Sequence, residues 1–222
     1  SKAVMQLGMN TLMRIINTLS LRNEVMNMED IPDHLFAAMN GFWDSASDVA
    51  QTSVLIAQRL SFARPDCAYA LGLFHNVGIP LLMMKYDNYA EVMRESYKTP
   101  TPRIVDTENE MIGTNHAVIG FFVARSWKLP NNICNLISQH HNVEIFQSDH
   151  TPGSEDKTLL AILKMAEHVS GLYRSIGGQP NNLEWNQVGK NILEYVGLSS
   201  ADFDDIISQA HDSGLGQQQY FM

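Results

Sequence analysis

Histidines in this 222-residue chain fall where helical patterns turn inward. The run DCAYALGLFHNVGIPLLMMKY, residues 66–86, has Ala68, Leu71, Gly72 and His75 at three- and four-residue steps, which predicts a helix. His75 closes that helix and the polar Asn76 follows. A histidine followed by a carboxylate here would make a metal site, but the second residue is an amide. His116 shares a helical face with Gly120, Val123, Ala124 and Trp127, so its ring points inward. His140 lies on the same side of its helix as Ile133, Leu136 and Ile137, and His141 follows directly. Neutral imidazole is a transition-metal ligand. A metal ion needs several nitrogen and oxygen donors in one small volume, supplied by helix faces that meet in a core.

Donors this far apart along the chain must be carried together, and the sequence offers helices to do it. No strand pattern persists and no internal repeat is visible. Residues 3–21 are a helix candidate with Val4, Leu7, Leu12, Ile15, Ile16 and Leu19 on its apolar side. Asp30-Ile31-Pro32 opens the next helical region, which can bend at Gly41-Phe42-Trp43; from 46 to 60 the apolar spacing is regular. The His75 helix breaks at Asn76-Val77-Gly78, where Gly78 can take backbone angles other residues avoid, and an apolar run over 79–84 follows. Residues 86–98, 130–141, 157–173, 185–196 and 202–211 read as helices, the last capped by Ser199 or Ser200. Thr99-Pro100-Thr101-Pro102 is the sharpest local break and reads as a surface loop; residues 177–182 form another loop. The expected fold is all-α, a compact bundle of roughly nine or ten helices. It is expected as one domain over residues 1–214, with a flexible tail at 215–222. The chain starts Ser-Lys-Ala-Val, inside an apolar pattern and without an initiator Met, so it reads as a fragment whose beginning is missing.

The segment Gly72-Leu73-Phe74-His75-Asn76-Val77-Gly78 resembles the GLLHDIG signature of the HD superfamily of metal-dependent phosphohydrolases. More narrowly it is similar to the HDOD domain, a degenerate relative in bacterial signalling proteins. Glu108, Gly113, His116, Gly120, Trp127 and Pro130 reproduce a second spacing of that domain, and His140-His141 match its paired histidines. The resemblance covers about residues 3–171 and is most specific over 72–78 and 108–141. It implies that His75, His116, His140, His141 and Glu167 occupy positions at which the superfamily binds metal. It also shows departures. Asn76 stands for the Asp of the HD pair, Ser45 falls where a His would ligate, and Glu167 in Ala166-Glu167 replaces Asp. No GYP element follows His141, which argues against cyclic-dinucleotide hydrolysis. With negative charge lost at the HD pair, the resemblance implies a vestigial or weak metal site, with no catalytic residue.

Composition narrows the partners. Net charge is −9, pI about 5.3 and no basic stripe exists, which speaks against nucleic acid or an anionic membrane. Cys67 and Cys134 have no zinc spacing and read as buried apolar residues of a reduced compartment. The apolar run near residues 117–124 is far too short to span a bilayer, and no signal peptide is present. His34, His168 and His211 are expected to be structural, His150 to lie in a polar loop, and Trp43 and Trp127 to pack in the core. Clustered neutral imidazoles should make stability fall below about pH 6. The expected function is a cytoplasmic bacterial signal-transduction module, non-catalytic, acting through contacts with other signalling proteins or domains. No cofactor is expected, with one divalent transition metal (Zn, Ni, Mn or Fe) as the alternative. The rival is a metal-dependent phosphohydrolase of a nucleotide or other phosphoester with an altered HD site. Oligomeric state is left open.

Overall fold

The computed structural model describes residues 33–98, 103–147 and 153–216. Every regular element among them is helical and they form an all-α bundle. In chain order these are α1 Asp33–Arg59, α2 Pro65–Phe74, α3 Gly78–Lys85, α4 Tyr89–Tyr97, α5 Ile104–Ile112, α6 His116–Ser126 and α7 Asn131–Gln139. A single 3-10 turn, Val143–Phe146, is followed by α8 Glu155–Val169, α9 Leu172–Ser175, α10 Leu183–Val196 and α11 Ser200–Asp212. The expected helices over 3–21, the loop at 99–102, His150 and the last six tail residues lie outside the described residues, as does the side chain of His34.

Two helices fill the middle. In α2, every residue from Cys67 to Phe74 except Tyr69 is buried. In α8, 11 of 15 residues are buried, among them Lys164 and Glu167. A helix buried on so many sides has no solvated face for its charges, so those two side chains need partners in the interior. α1 packs on both α2 and α8. Gly72 is the contact point of the first pair: a Cβ there would lie 2.8 Å from Ala50 Cα. α6 and α7 form an adjacent pair, with α3 packed on α6 and α10 packed on α8.

Several expectations are corrected. α1 continues through Gly41–Trp43 without a helix break, because Phe42 and Trp43 are both buried and packed edge to face at 5.2 Å. The apolar run after Gly78 is itself a helix, α3. Gly78 keeps a negative φ, so its role is close approach rather than unusual backbone angles: a Cβ would lie 2.1 Å from the His116 carbonyl oxygen. The helix read over 157–173 stops at Val169, where Gly171 takes φ 68° and α9 restarts the chain. Ser199 is the cap of α11, in a reciprocal pair with Asp202. At the chain's described end, Leu215 N donates to the Ala210 carbonyl at 2.9 Å and Gly216 N to the Asp48 carboxylate on α1 at 3.1 Å.

Among the described residues, Pro65–Lys85 is long and apolar enough by composition to cross a membrane, and it outruns the segment near 117–124. It comprises α2, a turn and α3, and 83% of its apolar window is buried inside the bundle. Both cysteines are buried free thiols.

Candidate metal centre

The centre is built mainly from helix ends. His75 caps the C-terminus of α2, and its Nδ1 donates back to the Gly72 carbonyl at 2.8 Å. His140 does the same at the end of α7, donating Nδ1–H to the Ile137 carbonyl at 2.7 Å. Both rings use a carbonyl that the ending helix leaves without a partner. His116 opens α6, positioned by Asn115, whose side chain accepts from Val118 N. Its Nδ1 donates to Glu108 Oε2 at 2.6 Å. His141 Nδ1 donates to Glu184 Oε1 at 2.9 Å.

With each Nδ1 hydrogen committed to an acceptor, each neutral ring presents a bare Nε2. Those of His116, His140 and His141 lie within 4.8 Å of one another, and His116 Nε2 is 3.2 Å from each of the other two. Two imidazole nitrogens on one tetrahedral zinc at 2.0–2.1 Å sit about 3.3 Å apart. His75 lies against the group, its ring centroid 5.3 Å from that of His140. All four rings are at most 3% exposed. Lone pairs that face each other in a dry interior repel unless a metal ion, an extra proton or the hydrogens of a water stand between them. The proton is disfavoured at two rings: burial first, then neighbouring charge, holds His140 and His141 well below the ordinary histidine range.

Carboxylates stand behind the imidazoles. Glu108 is fully buried; its Oε1 also accepts from Tyr89 OH and from the His116 backbone N–H. Burial and then Glu108 itself raise the Tyr89 phenol well above its usual value, so it stays a donor. Glu167 Oε1 lies 3.2 Å from His75 Nε2 without a hydrogen bond between them, so two lone-pair donors face each other there as well. Its Oε2 lies 2.8 Å from Lys164 Nζ, which also reaches Glu184 Oε2 at 2.8 Å. Burial pushes the Glu167 carboxyl up, but Lys164 and His75 together hold it far below the usual carboxylate range. Burial likewise lowers Lys164, and the two carboxylates overcome it, so the ammonium stays charged. Asn76, beside His75, is 2% exposed, and neither its amide oxygen nor its nitrogen has a hydrogen-bond partner among the described residues. The Ser45 hydroxyl on α1 is in the same condition. Unpartnered buried polar atoms cost about 1–3 kcal/mol each, so an occupant that satisfies them is favoured. The donor set therefore fits a metal ion: His116, His140 and His141 could hold it.

A family model of the HDOD domain matches residues 1–143. The chain belongs to the HDOD domain family. The chain is similar to a crystal structure of an HDOD domain protein with unknown function from Geobacter sulfurreducens, with TM-score 0.57 and 25% identity, over 79% of this chain and 59% of that one. It shares its fold with a putative phosphohydrolase from Shewanella amazonensis SB2B, with TM-score 0.57 and 22% identity, over 96% of this chain and 72% of that one. An uncharacterized protein from Treponema pallidum (strain Nichols) is 27% identical over 135 residues, 60% of this chain. The HDOD chain spans 24% of that curated relative's length.

The fold thus brings His75, His116, His140, His141 and Glu167 together, Glu167 reaching the group through His75 and Lys164. His168 lies outside it, stacked on Trp185 at 4.7 Å. Three participants escaped the sequence reading. Glu108 enters the sequence reading only through the family spacing, Lys164 as one residue of a helix, and Glu184 lies outside the motifs. The available signal was Lys164 itself, a cation on the buried side of α8 three residues before Glu167.

Proposed function

We propose that this HDOD domain is a non-catalytic module of bacterial signal transduction that works in the cytoplasm through contacts with other signalling proteins or domains. Its imidazole cluster holds one divalent transition metal as part of the core. The observation that carries the metal is the common orientation of the rings, with every Nδ1 donating outward and the Nε2 atoms of His116, His140 and His141 converging.

The non-catalytic part is supported by charge and by access. Asn76 offers a neutral oxygen where an anionic ligand would bridge metals, and Glu167 is already engaged by Lys164. His116 and His140 are 0% exposed. The cleft on the His141 side, lined also by Tyr97, Arg103 and Glu184, has room for about 30 Å³. That volume holds about one water and no phosphoester. Contacts with a partner are supported by α6. The helix that begins with His116 leaves Val118 40% and Phe122 60% exposed on its outer side, so metal loading and a contact surface share one element.

A metal-dependent phosphohydrolase is the second reading, favoured by the Glu108–His116 pair, since a carboxylate behind a ligand imidazole raises its basicity. Incubating tag-free protein with nucleotides and cyclic dinucleotides plus Mn²⁺, Mg²⁺ or Ni²⁺ separates the two. The expected result is no turnover and close to one transition-metal equivalent by elemental analysis. Hydrolysis that disappears in His75→Ala overturns the non-catalytic reading. Protein that stays metal-free under every loading overturns the metal.

A further inference from the structure

Lys164 is the one group in the centre whose chemistry the metal reading does not use. Its side chain is 3% exposed and its Nζ lies 2.8 Å from Glu167 Oε2 and 2.8 Å from Glu184 Oε2. Each of those carboxylates turns its other oxygen toward a histidine: Glu167 Oε1 lies 3.2 Å from His75 Nε2 without a hydrogen bond, and Glu184 Oε1 accepts from His141 Nδ1 at 2.9 Å. The chain His75–Glu167–Lys164–Glu184–His141 therefore runs along one side of the imidazoles, with an ammonium at its middle. Two carboxylates and a free imidazole nitrogen at such distances are a ligand set for a hard or borderline cation. His75 Nε2 has no hydrogen-bond partner among the described residues, so that nitrogen is available.

We propose that the Lys164 ammonium is a built-in cation that fills a second metal position between Glu167 and Glu184, and so limits the centre to one metal ion. This rests on the metal reading above but makes a separate claim about stoichiometry. Formal charge points the same way. Three carboxylates touch the imidazoles, Glu108, Glu167 and Glu184, and Lys164 cancels one of them. The remaining two negative charges are balanced by one divalent ion. Removing the ammonium leaves three, which one divalent ion cannot balance in a buried site.

The test is metal stoichiometry of the tag-free chain, measured by equilibrium dialysis against Zn²⁺ or Mn²⁺ with elemental analysis. Wild type should hold one equivalent and Lys164→Met two. Lys164→Arg, which keeps the charge, should stay at one. The second equivalent should be lost in Lys164→Met/Glu167→Gln. Wild type holding two, or no gain of metal on removing Lys164 whatever wild type holds, overturns the proposal. Wild type holding none while Lys164→Met holds one, still bound when His116 is also changed to Ala, sinks the imidazole reading and leaves this one standing. If Lys164→Met folds only with help, added Zn²⁺ should restore its helical circular dichroism. A variant that stays unfolded in excess Zn²⁺ counts against the proposal, because a divalent ion should then replace the lost charge.

Discussion

Two regions of this HDOD domain pack histidine beside the same helix, and they use it differently. Glu167 and His168 are adjacent on α8, so their side chains leave the helix about 100° apart. Glu167 meets His75 in the imidazole cluster, while the His168 ring lies flat on Trp185, 4.7 Å between centroids, with Tyr173 and Phe203 near it. Burial, with a smaller push from Arg174, lowers His168 to about 4, so its ring is neutral like those of His140 and His141. The difference is orientation. In the cluster each Nδ1 has a carbonyl or carboxylate to hold it, which fixes the tautomer and aims Nε2 inward. His168 has aromatic faces and no acceptor for Nδ1 among the described residues. Burial makes an imidazole neutral; an anchored Nδ1 makes it a ligand.

The largest way to break that contrast is His116→Ala. It removes the Nε2 that touches both His140 and His141 and strips Glu108 of its ring partner. A buried charge that loses its partner costs about 3–5 kcal/mol, so the urea midpoint should fall sharply and metal content should drop to background. Glu108→Gln sharpens the contrast at lower cost. The amide keeps the shape and an acceptor oxygen but weakens the hold on His116 Nδ1. Metal affinity should fall about 10–100-fold, read by competition with a chelating dye, against a stability loss of about 1 kcal/mol. Unchanged affinity would mean that anchoring does not define the ligands.

These partners also mark where the sequence stopped being informative. His75, His116 and His140 were legible because a polar ring on an apolar helical face is a local signal, and the family spacing added His141 and Glu167. The all-α architecture was legible for the same reason, since 3.6-residue periodicity is written along each helix. Glu184 was not, because its role depends on how α10 lies across α8, and it contacts Lys164 20 residues away and His141 43 residues away. Gly78 carries a misleading local signal. A glycine at a helix junction suggests backbone freedom, whereas its cause is the α3–α6 approach at the His116 carbonyl, which no local pattern records.

The smallest predicted effect tests the other half of the contrast. An imidazole whose pKa is lower in the folded chain than in the unfolded one binds its proton more readily when unfolded. Its contribution is therefore intact above about pH 6.5 and erodes as pH falls toward the folded value. For His168 that window runs down to about 4. His140 and His141 erode stability in the same direction, and a bound metal, which holds only their neutral nitrogens, deepens their share as pH falls. His168 takes no part in the cluster, so its share should be the same with or without metal. His168→Phe keeps a flat ring on Trp185 and removes the unpartnered nitrogen. At pH 7 its stability should lie within about 1 kcal/mol of wild type. Between pH 7 and 5 it should lose about 1–2 kcal/mol less than wild type, the partly exposed ring edge damping the effect. That saving should appear equally in metal-loaded and chelator-treated protein, with metal content unchanged. A variant that sheds metal as His116→Ala does would show that the aromatic stack on α8 supports the cluster, and that the two regions act as one.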